Sequence, residues 1–344
     1  MAQQRPIRIG LSGFGRIGRL ALRAQYETGI KDVEIVAVND WKNLEHSAHL
    51  LEYDSVHGRF NTPITIHDDK DAKGMDLGQG LIHALSDRDP ARLDWQRHQV
   101  DIVFECTGKF NKREAAAAHL SAGAKGVLVS APCTEADKTI VYGVNHDMLT
   151  AQDRVVSNAS CTTNCLAPVI KVLDQSFGVE KGFCTTIHAM TGDQNLVDSS
   201  HKDLRRARAA SLSMIPTSTG AARSLGLVLP QLKGRFDGSA VRVPTANVSM
   251  IDLHVQMKQN VSVEQVNAAM QQASHGALKN VLGYSDAPLV SIDFNHNPNS
   301  SIFDASQTQI IGQDFLRVVS WYDNEWGFAL RMFDVAREMM KTYS

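Results

Sequence analysis

The stretch IRIGLSGFGRIGRLALRAQYETG, Ile7–Gly29, decides the fold. Its first half, Ile7–Gly13, has the apolar run and length of a buried strand. Its second half, Arg16–Gly29, places Ile17, Leu20, Ala21 and Ala24 on one helical face and closes on Gly29. Between them GFGRIG, Gly13–Gly18, fits G-x-G-x-x-G. Alone that pattern is weak, and it also occurs as a plain turn in α/β folds. Between a strand and a helix it gains a mechanism. The first glycine makes a tight turn, the second lets backbone approach a pyrophosphate, and the third allows close helix–strand packing. Backbone N–H groups and the helix dipole then face phosphate. Asp40 ends the next strand, VEIVAVND (Val33–Asp40), about 20 residues past the last glycine. A carboxylate there accepts hydrogen bonds from an adenosine ribose and repels a 2′-phosphate.

Outward from this unit, strands and helices keep alternating. VDIVFECTG (Val100–Gly108), GVLVSAP (Gly126–Pro132) and TIVYGVN (Thr139–Asn145) read as strands, and the alanine-rich Lys112–Lys125 reads as one helix. This alternation predicts a Rossmann doubly wound parallel sheet. After about residue 160 the texture changes. KGFCTTIHAM (Lys181–Met190) and the long alternating SAVRVPTANVSMIDLHVQM (Ser239–Met257) predict an antiparallel or mixed sheet, covered by helices such as Val263–Ser274. The expected α/β architecture is therefore an NAD-binding domain over 1–160 and an α+β catalytic domain over 161–324. The C-terminal helix, 325–344, is expected to pack back on the first domain.

The 344 residues carry a formal charge of −2, which gives no reason to expect nucleic acid or an anionic membrane as partner. Basic residues cluster only in KDLRRARAA, Lys202–Ala210. Five cysteines are too few and too scattered for a secreted disulfide framework. No apolar run reaches the roughly 18 residues a membrane span needs, and the N-terminus has no signal-like apolar core. The expectation is a cytoplasmic protein with reduced thiols.

VVSNASCTTNCLAP, Val155–Pro168, holds two of the five cysteines. A zinc site needs a second ligand block, and none follows at the required spacing, so no metal is expected. Cys165, Val169 and Leu173 fall at i, i+4 and i+8, which puts Cys165 on a buried helical stripe as a small hydrophobe. Cys161 falls at the helix start, beside Ser160, Thr162 and Thr163, where the helix N-terminus favours thiolate. His188 ends a strand next to the loop AMTGDQN. It is either the partner of that cysteine or a satisfied structural histidine.

At SNASCTTNCLAP the chain resembles the phosphorylating glyceraldehyde-3-phosphate dehydrogenase family. The resemblance extends over GFGRIGR (13–19), ECTGKF (105–110), SAPCTEADKTIVYGVN (130–145), HKDLRRARAA (201–210), IPTSTGAA (215–222), AVRVPTANVSMIDL (240–253) and WYDNEWGF (321–328). It implies oxidation of D-glyceraldehyde 3-phosphate by NAD with inorganic phosphate, in glycolysis and gluconeogenesis, by a homotetramer. Cys161 would be the nucleophile and His188 its base. Ser160, Thr162, Thr219 and Gly220, with Arg206 nearby, would bind inorganic phosphate. Thr191 and Arg242, with Asp193 behind, would bind the substrate's phosphate. Gly13, Phe14, Gly15, Arg16, Ile17, Asp40 and Ser130 would hold the dinucleotide, and Asn324 would orient its carboxamide. Thr191–Met214 would reach a neighbouring subunit. VSIDFNHNPNSS and YDSVHGRF also resemble erythrose-4-phosphate dehydrogenase, a relative that releases an acid. Ser199 and Ser200 stand where members that also accept NADP carry small residues, so NADP is expected as a secondary cofactor. Trp41 either stacks on adenine or shields the sheet edge. A rival of another class is a non-catalytic RNA-binding role through the cofactor groove.

Overall fold

The computed structural model describes residues 5–40, 43–69 and 72–343. The expectation for Trp41 lies outside them. The chain divides into two compact units. One comprises residues 1–140, 146–159 and 329–344, and the other residues 141–145 and 160–328.

The first unit is built on a nine-stranded sheet. In spatial order its strands are Lys138–Thr139, Val155–Ser157, Gly126–Val129, Ile102–Glu105, Ile7–Ser12, Val33–Asn39, Leu81–Leu85, Ala72–Asp76 and Thr65–Asp69. The first seven run parallel, and the last two form an antiparallel edge. The central strand pairs on one side with the next in sequence and on the other with Ile102–Glu105. Chain order therefore reverses at the carboxyl end of Ile7–Ser12, where doubly wound sheets open a crevice for ligands. The glycine loop leaves from that point. Ile102–Glu105 and Gly126–Val129 are buried throughout and Val33–Asn39 at every residue but Glu34, as a parallel sheet requires.

The helix over Arg16–Glu27 follows as the periodicity requires, with Leu20, Ala21 and Ala24 fully buried. Gly13 has φ +94°, and a Cβ there would meet the Thr107 backbone nitrogen at 2.7 Å. A Cβ at Gly18 would lie 2.2 Å from the Gly13 carbonyl oxygen. A Cβ at Gly15 would meet nothing within 4 Å.

Two segments of this unit depart from the sequence reading. The alanine-rich run forms two short helices, Arg113–Ala116 and Ala118–Ser121, rather than one. The turn between them tightens to an i→i+3 bond from Leu120 N–H to Ala117 O. This carries His119 fully inward, where its Nδ1 accepts from Trp95 Nε1 at 3.0 Å and its Nε2 meets Glu105 Oε2 at 3.1 Å. TIVYGVN is not a strand beyond Thr139. Asn145 Oδ1 caps the Val141 N–H at 2.8 Å and folds Val141–Asn145 into turns.

The second unit carries a seven-stranded mixed sheet. Its spatial order is Ile215–Ser218, Phe236–Val243, Val179–Ala189, Ser249–Met257, Phe315–Tyr322, Ser301–Ile311 and Leu282–Ser285. Val179–Ala189 runs parallel to Phe236–Val243 and antiparallel to Ser249–Met257. Helices Cys161–Phe177, Ala221–Val228 and Val263–His275 pack on one face. Ser249–Met257 alternates buried and half-buried residues throughout. The alternating run 239–257 is two strands rather than one, broken after Val243 where Pro244 cannot donate to a ladder. In the long helix, Leu166, Val169, Ile170 and Leu173 are fully buried against the sheet, each contributing roughly 1.5–3 kcal/mol.

Candidate active site

In the first unit the predicted cofactor residues gather at the switch point. Gly15 precedes the helix Arg16–Glu27, whose first turn has no side-chain cap and no acidic residue. Its orphan N–H groups and dipole are therefore available to an anion. Phe14, buried, and Asp40 line a cavity of about 350 Å³ with Val38, Ile66, Met75 and Leu85. The Asp40 N–H bonds to Leu85 O at 3.1 Å, which fixes its carboxylate at the strand end. Arg16 is held by Asp54, Nη1 to Oδ2 at 2.6 Å, and Ile17 is half-buried in the first turn. Ser130 follows the strand Gly126–Val129, its N–H donating to Glu105 O at 3.0 Å. The open space at Gly15, the uncapped helix start and the acid at the cavity together fit a dinucleotide.

Glu105, at the end of the strand Ile102–Glu105, supports the glycine loop from behind. Fully buried, it accepts from the Thr107 N–H at 2.8 Å and from the Thr107 hydroxyl. This pins the backbone that presses on Gly13.

In the second unit Ser160 caps the long helix, its Oγ accepting from the Thr163 N–H at 3.1 Å. Cys161 is the first helical residue, and its Sγ lies 3.5 Å from His188 Nε2. The His188 ring also lies 2.7 Å through Nδ1 from Ala189 O. A carbonyl only accepts, so Nδ1 carries the proton and Nε2 presents a lone pair to the thiol. Arg242 stands beside His188 in the adjacent strand, with Nη1 3.1 Å from Nδ1, 3.2 Å from Ala189 O and 3.1 Å from Thr191 Oγ1. With Nδ1 already a donor, the Nη1–Nδ1 approach is a close contact, and the carbonyl and hydroxyl take the Arg242 bonds.

The Arg242 Nε is buried with no partner among the described residues, and no carboxylate there lies at ion-pair distance from the guanidinium. Asp193 acts on this charge from a distance, without an ion pair. Burial, and then the charge of Arg242, pull His188 down to about 3. Burial pushes the Cys161 thiol up, opposed by Arg242 and by the Thr162 N–H and hydroxyl. The expectation of a thiolate at the helix start thus meets a desolvation cost that the helix N-terminus alone does not offset. Both shifts favour the uncharged forms of the pair.

The other predicted residues fall into distinct places. Thr162 turns its hydroxyl inward to Tyr322 Oη at 2.9 Å and is buried. Its N–H and its hydroxyl also reach the Cys161 thiol. Asp193 pairs with Arg206, not with Arg242. Arg206 also donates to Thr217 Oγ1 at 3.0 Å. Thr219 and Gly220 open the helix Ala221–Val228, with Thr219 Oγ1 accepting from the Ala221 N–H at 3.2 Å. Asn324 is buried, its Oδ1 2.8 Å from Ser249 Oγ. Cys165 is fully buried beside Ser301 Oγ at 3.3 Å, and burial lifts its thiol to about 12. No group of three or more potential metal-ligating side chains occurs among the described residues.

Sequence reasoning overlooked two residues of this unit. Tyr322 Oη bridges Thr162 Oγ1 and Thr186 Oγ1, at 2.9 and 2.8 Å, and its ring meets His188 edge-on at 5.9 Å. Ser249 accepts from the Ala189 N–H at 3.0 Å. Ser249 was visible as a polar residue opening an apolar strand face with Ile251, Leu253 and Val255, whereas Tyr322 shares its face with the polar Ser320 and carried no such signal.

Comparison with known proteins gives this arrangement a context. Residues 7–113 match the family model of the glyceraldehyde 3-phosphate dehydrogenase NAD binding domain, and residues 160–324 match that of its C-terminal domain. Glyceraldehyde-3-phosphate dehydrogenase of Cereibacter sphaeroides is 58% identical over 333 residues, covering 97% of this chain and 98% of that one. The Xanthobacter flavus enzyme is 56% identical over 97% of this chain and 99% of its own. Glyceraldehyde-3-phosphate dehydrogenase 1 of Bacillus subtilis is 50% identical over 97% and 98%. With both domain models matched in order and identity sustained along nearly the whole chain, the protein belongs to the glyceraldehyde-3-phosphate dehydrogenase family.

Proposed function

We propose that the chain oxidises D-glyceraldehyde 3-phosphate with NAD and inorganic phosphate to 1,3-bisphosphoglycerate through a thioester on Cys161. The observation that carries this reading is the Cys161–His188 pair beside a buried Arg242 that no carboxylate among the described residues pairs with. A nucleophile and base lie within reach of an anion site, as a phosphorylated aldehyde requires.

The first unit holds NAD through Gly13, Phe14, Gly15, Arg16, Ile17, Asp40 and Ser130. When bound, NAD supplies the acceptor for the hydride leaving substrate C1. Arg242 and Thr191 bind the substrate phosphate by charge-assisted hydrogen bonds and place the aldehyde against Cys161. His188 Nε2 takes the thiol proton as sulfur attacks the carbonyl carbon and returns it to the developing alkoxide, giving a thiohemiacetal and a free base. It then removes the hydroxyl proton as the thiohemiacetal becomes a thioester. The anion at Arg242 offsets the charge that depresses His188, so the base strengthens when substrate is in place. Ser160, the Thr162 N–H, Thr219 and Gly220, with Arg206 nearby, receive the attacking phosphate, which leaves as the acyl phosphate and frees Cys161.

NAD is the preferred cofactor, with NADP secondary. The tetrameric assembly of the resemblance is supported by Leu196, Val197, Leu204, Leu212 and Met214, all strongly exposed. Such a run of apolar side chains calls for a protein surface to cover it. Five free cysteines support a reducing, cytoplasmic location.

The test is NADH formation from glyceraldehyde 3-phosphate with and without inorganic phosphate, run beside erythrose 4-phosphate. Fast, phosphate-dependent turnover of the triose is expected. Faster, phosphate-independent turnover of the tetrose would overturn the assignment.

A further inference from the structure

The Asn324 side chain is an ambiguous reader, because a primary amide offers a donor on one side and an acceptor on the other. Whatever it orients depends on which atom faces outward. Ser249 settles that choice. Its hydroxyl accepts from the Ala189 N–H at 3.0 Å and lies 2.8 Å from Asn324 Oδ1. The hydroxyl proton then has one acceptor among the described residues, and that is Oδ1. In the flipped amide, Nδ2 would donate to the same oxygen, and the hydroxyl proton would be left without an acceptor in a site where Ser249 is 1% exposed. Asn324 Nδ2 has no partner among the described residues. It is left to donate to a ligand.

The same peptide reaches the base. The Ala189 N–H is held by Ser249 while Ala189 O accepts from His188 Nδ1. One hydroxyl therefore tethers both the group that fixes the His188 tautomer and the amide at Asn324. We propose that Ser249 is a positioning residue for hydride transfer. It locks the Asn324 amide with its NH2 presented to the carboxamide oxygen of the nicotinamide, and ties that amide to the peptide that orients His188. The proposal rests on the assignment of Asn324 made above, and its test separates the two.

The experiment is a double-mutant cycle in the full-length enzyme with Ser249→Ala, Asn324→Ala and the pair, measuring kcat and KM for NAD. In Ser249→Ala the amide is free to flip, and KM for NAD rises about fivefold to tenfold. The penalty is larger with 3-acetylpyridine adenine dinucleotide. That analogue keeps the carbonyl acceptor but has no NH2 to offer a flipped Asn324. On the Asn324→Ala background, Ser249→Ala adds less than twofold to KM, because its target is gone. Ser249→Cys retains a weaker donor, so its KM falls between the two. It carries the test if the alanine variant does not fold. Additive effects of the two substitutions, or equal penalties with both cofactors, overturn the role of Ser249. An unchanged KM in Asn324→Ala overturns the role of Asn324 itself.

Discussion

Replacing His188 with asparagine should make the enzyme less sensitive to acid. Unfolded histidine binds a proton near pH 6.5, whereas in the native site burial and Arg242 keep the ring neutral down to about 3. Between those values the unfolded chain takes up a proton that the native chain refuses, so this contribution to stability is lost as pH falls. By pH 5.0 it costs about 2 kcal/mol relative to pH 7.5, and the full interval costs roughly 4–5 kcal/mol. Asparagine can keep the donor to Ala189 O in place of Nδ1 and removes the titrating group. Urea unfolding at pH 7.5 and 5.0, at one fixed protein concentration without substrate, measures the difference. Wild type should lose about 2 kcal/mol more than His188→Asn over that step, since the acidic residues common to both cancel. Equal losses would mean that His188 titrates near its ordinary value and that burial beside Arg242 does not suppress it. The reasoning about a neutral resting pair would then fail.

Three further outcomes are expected. Gly18→Ala drives a Cβ to 2.2 Å from Gly13 O and should cost about 3 kcal/mol, lowering the thermal midpoint together with NAD binding; a variant that melts and binds like wild type refutes the close-packing account. Iodoacetamide at pH 7.5 should alkylate Cys161 ahead of Cys106 and Cys165, which burial lifts to about 12; peptide mapping that finds Cys165 labelled at an equal rate overturns this order. Asp40→Ser removes the charge at the cavity and should raise kcat/KM with NADP relative to NAD about tenfold or more; an unchanged ratio places the discrimination elsewhere.

What could be read from the sequence was what depends on neighbours in the chain. The strand, glycine loop and helix of Ile7–Glu27 are specified by residues within one another's reach, and so is the cap that puts Cys161 at a helix start. Long-range partners were less legible. The alanine run looks like one helix by propensity, and only the buried contacts of His119 with Trp95 and Glu105 explain its break. Arg206 and Arg242 look alike in sequence, yet Asp193 forms an ion pair with the first and only a longer-range contact with the second. The thiol could be placed at a helix N-terminus, but the extent of its burial could not, and burial sets the direction of its pKa. Tyr322 and Ser249 enter through strand register with segments far away in the chain, which no local pattern encodes.

The three glycines of the loop differ in what enforces them. A side chain at Gly13 or Gly18 collides with the protein's own backbone, whereas a side chain at Gly15 collides with nothing in the chain. Gly15 has φ −75° and extended backbone, outside the left-handed region that demands glycine. A lineage that no longer used the cofactor would therefore keep the outer two glycines for as long as it folded, and would lose the middle one first. The identity of residue 15 in a distant descendant records whether that descendant still binds a dinucleotide.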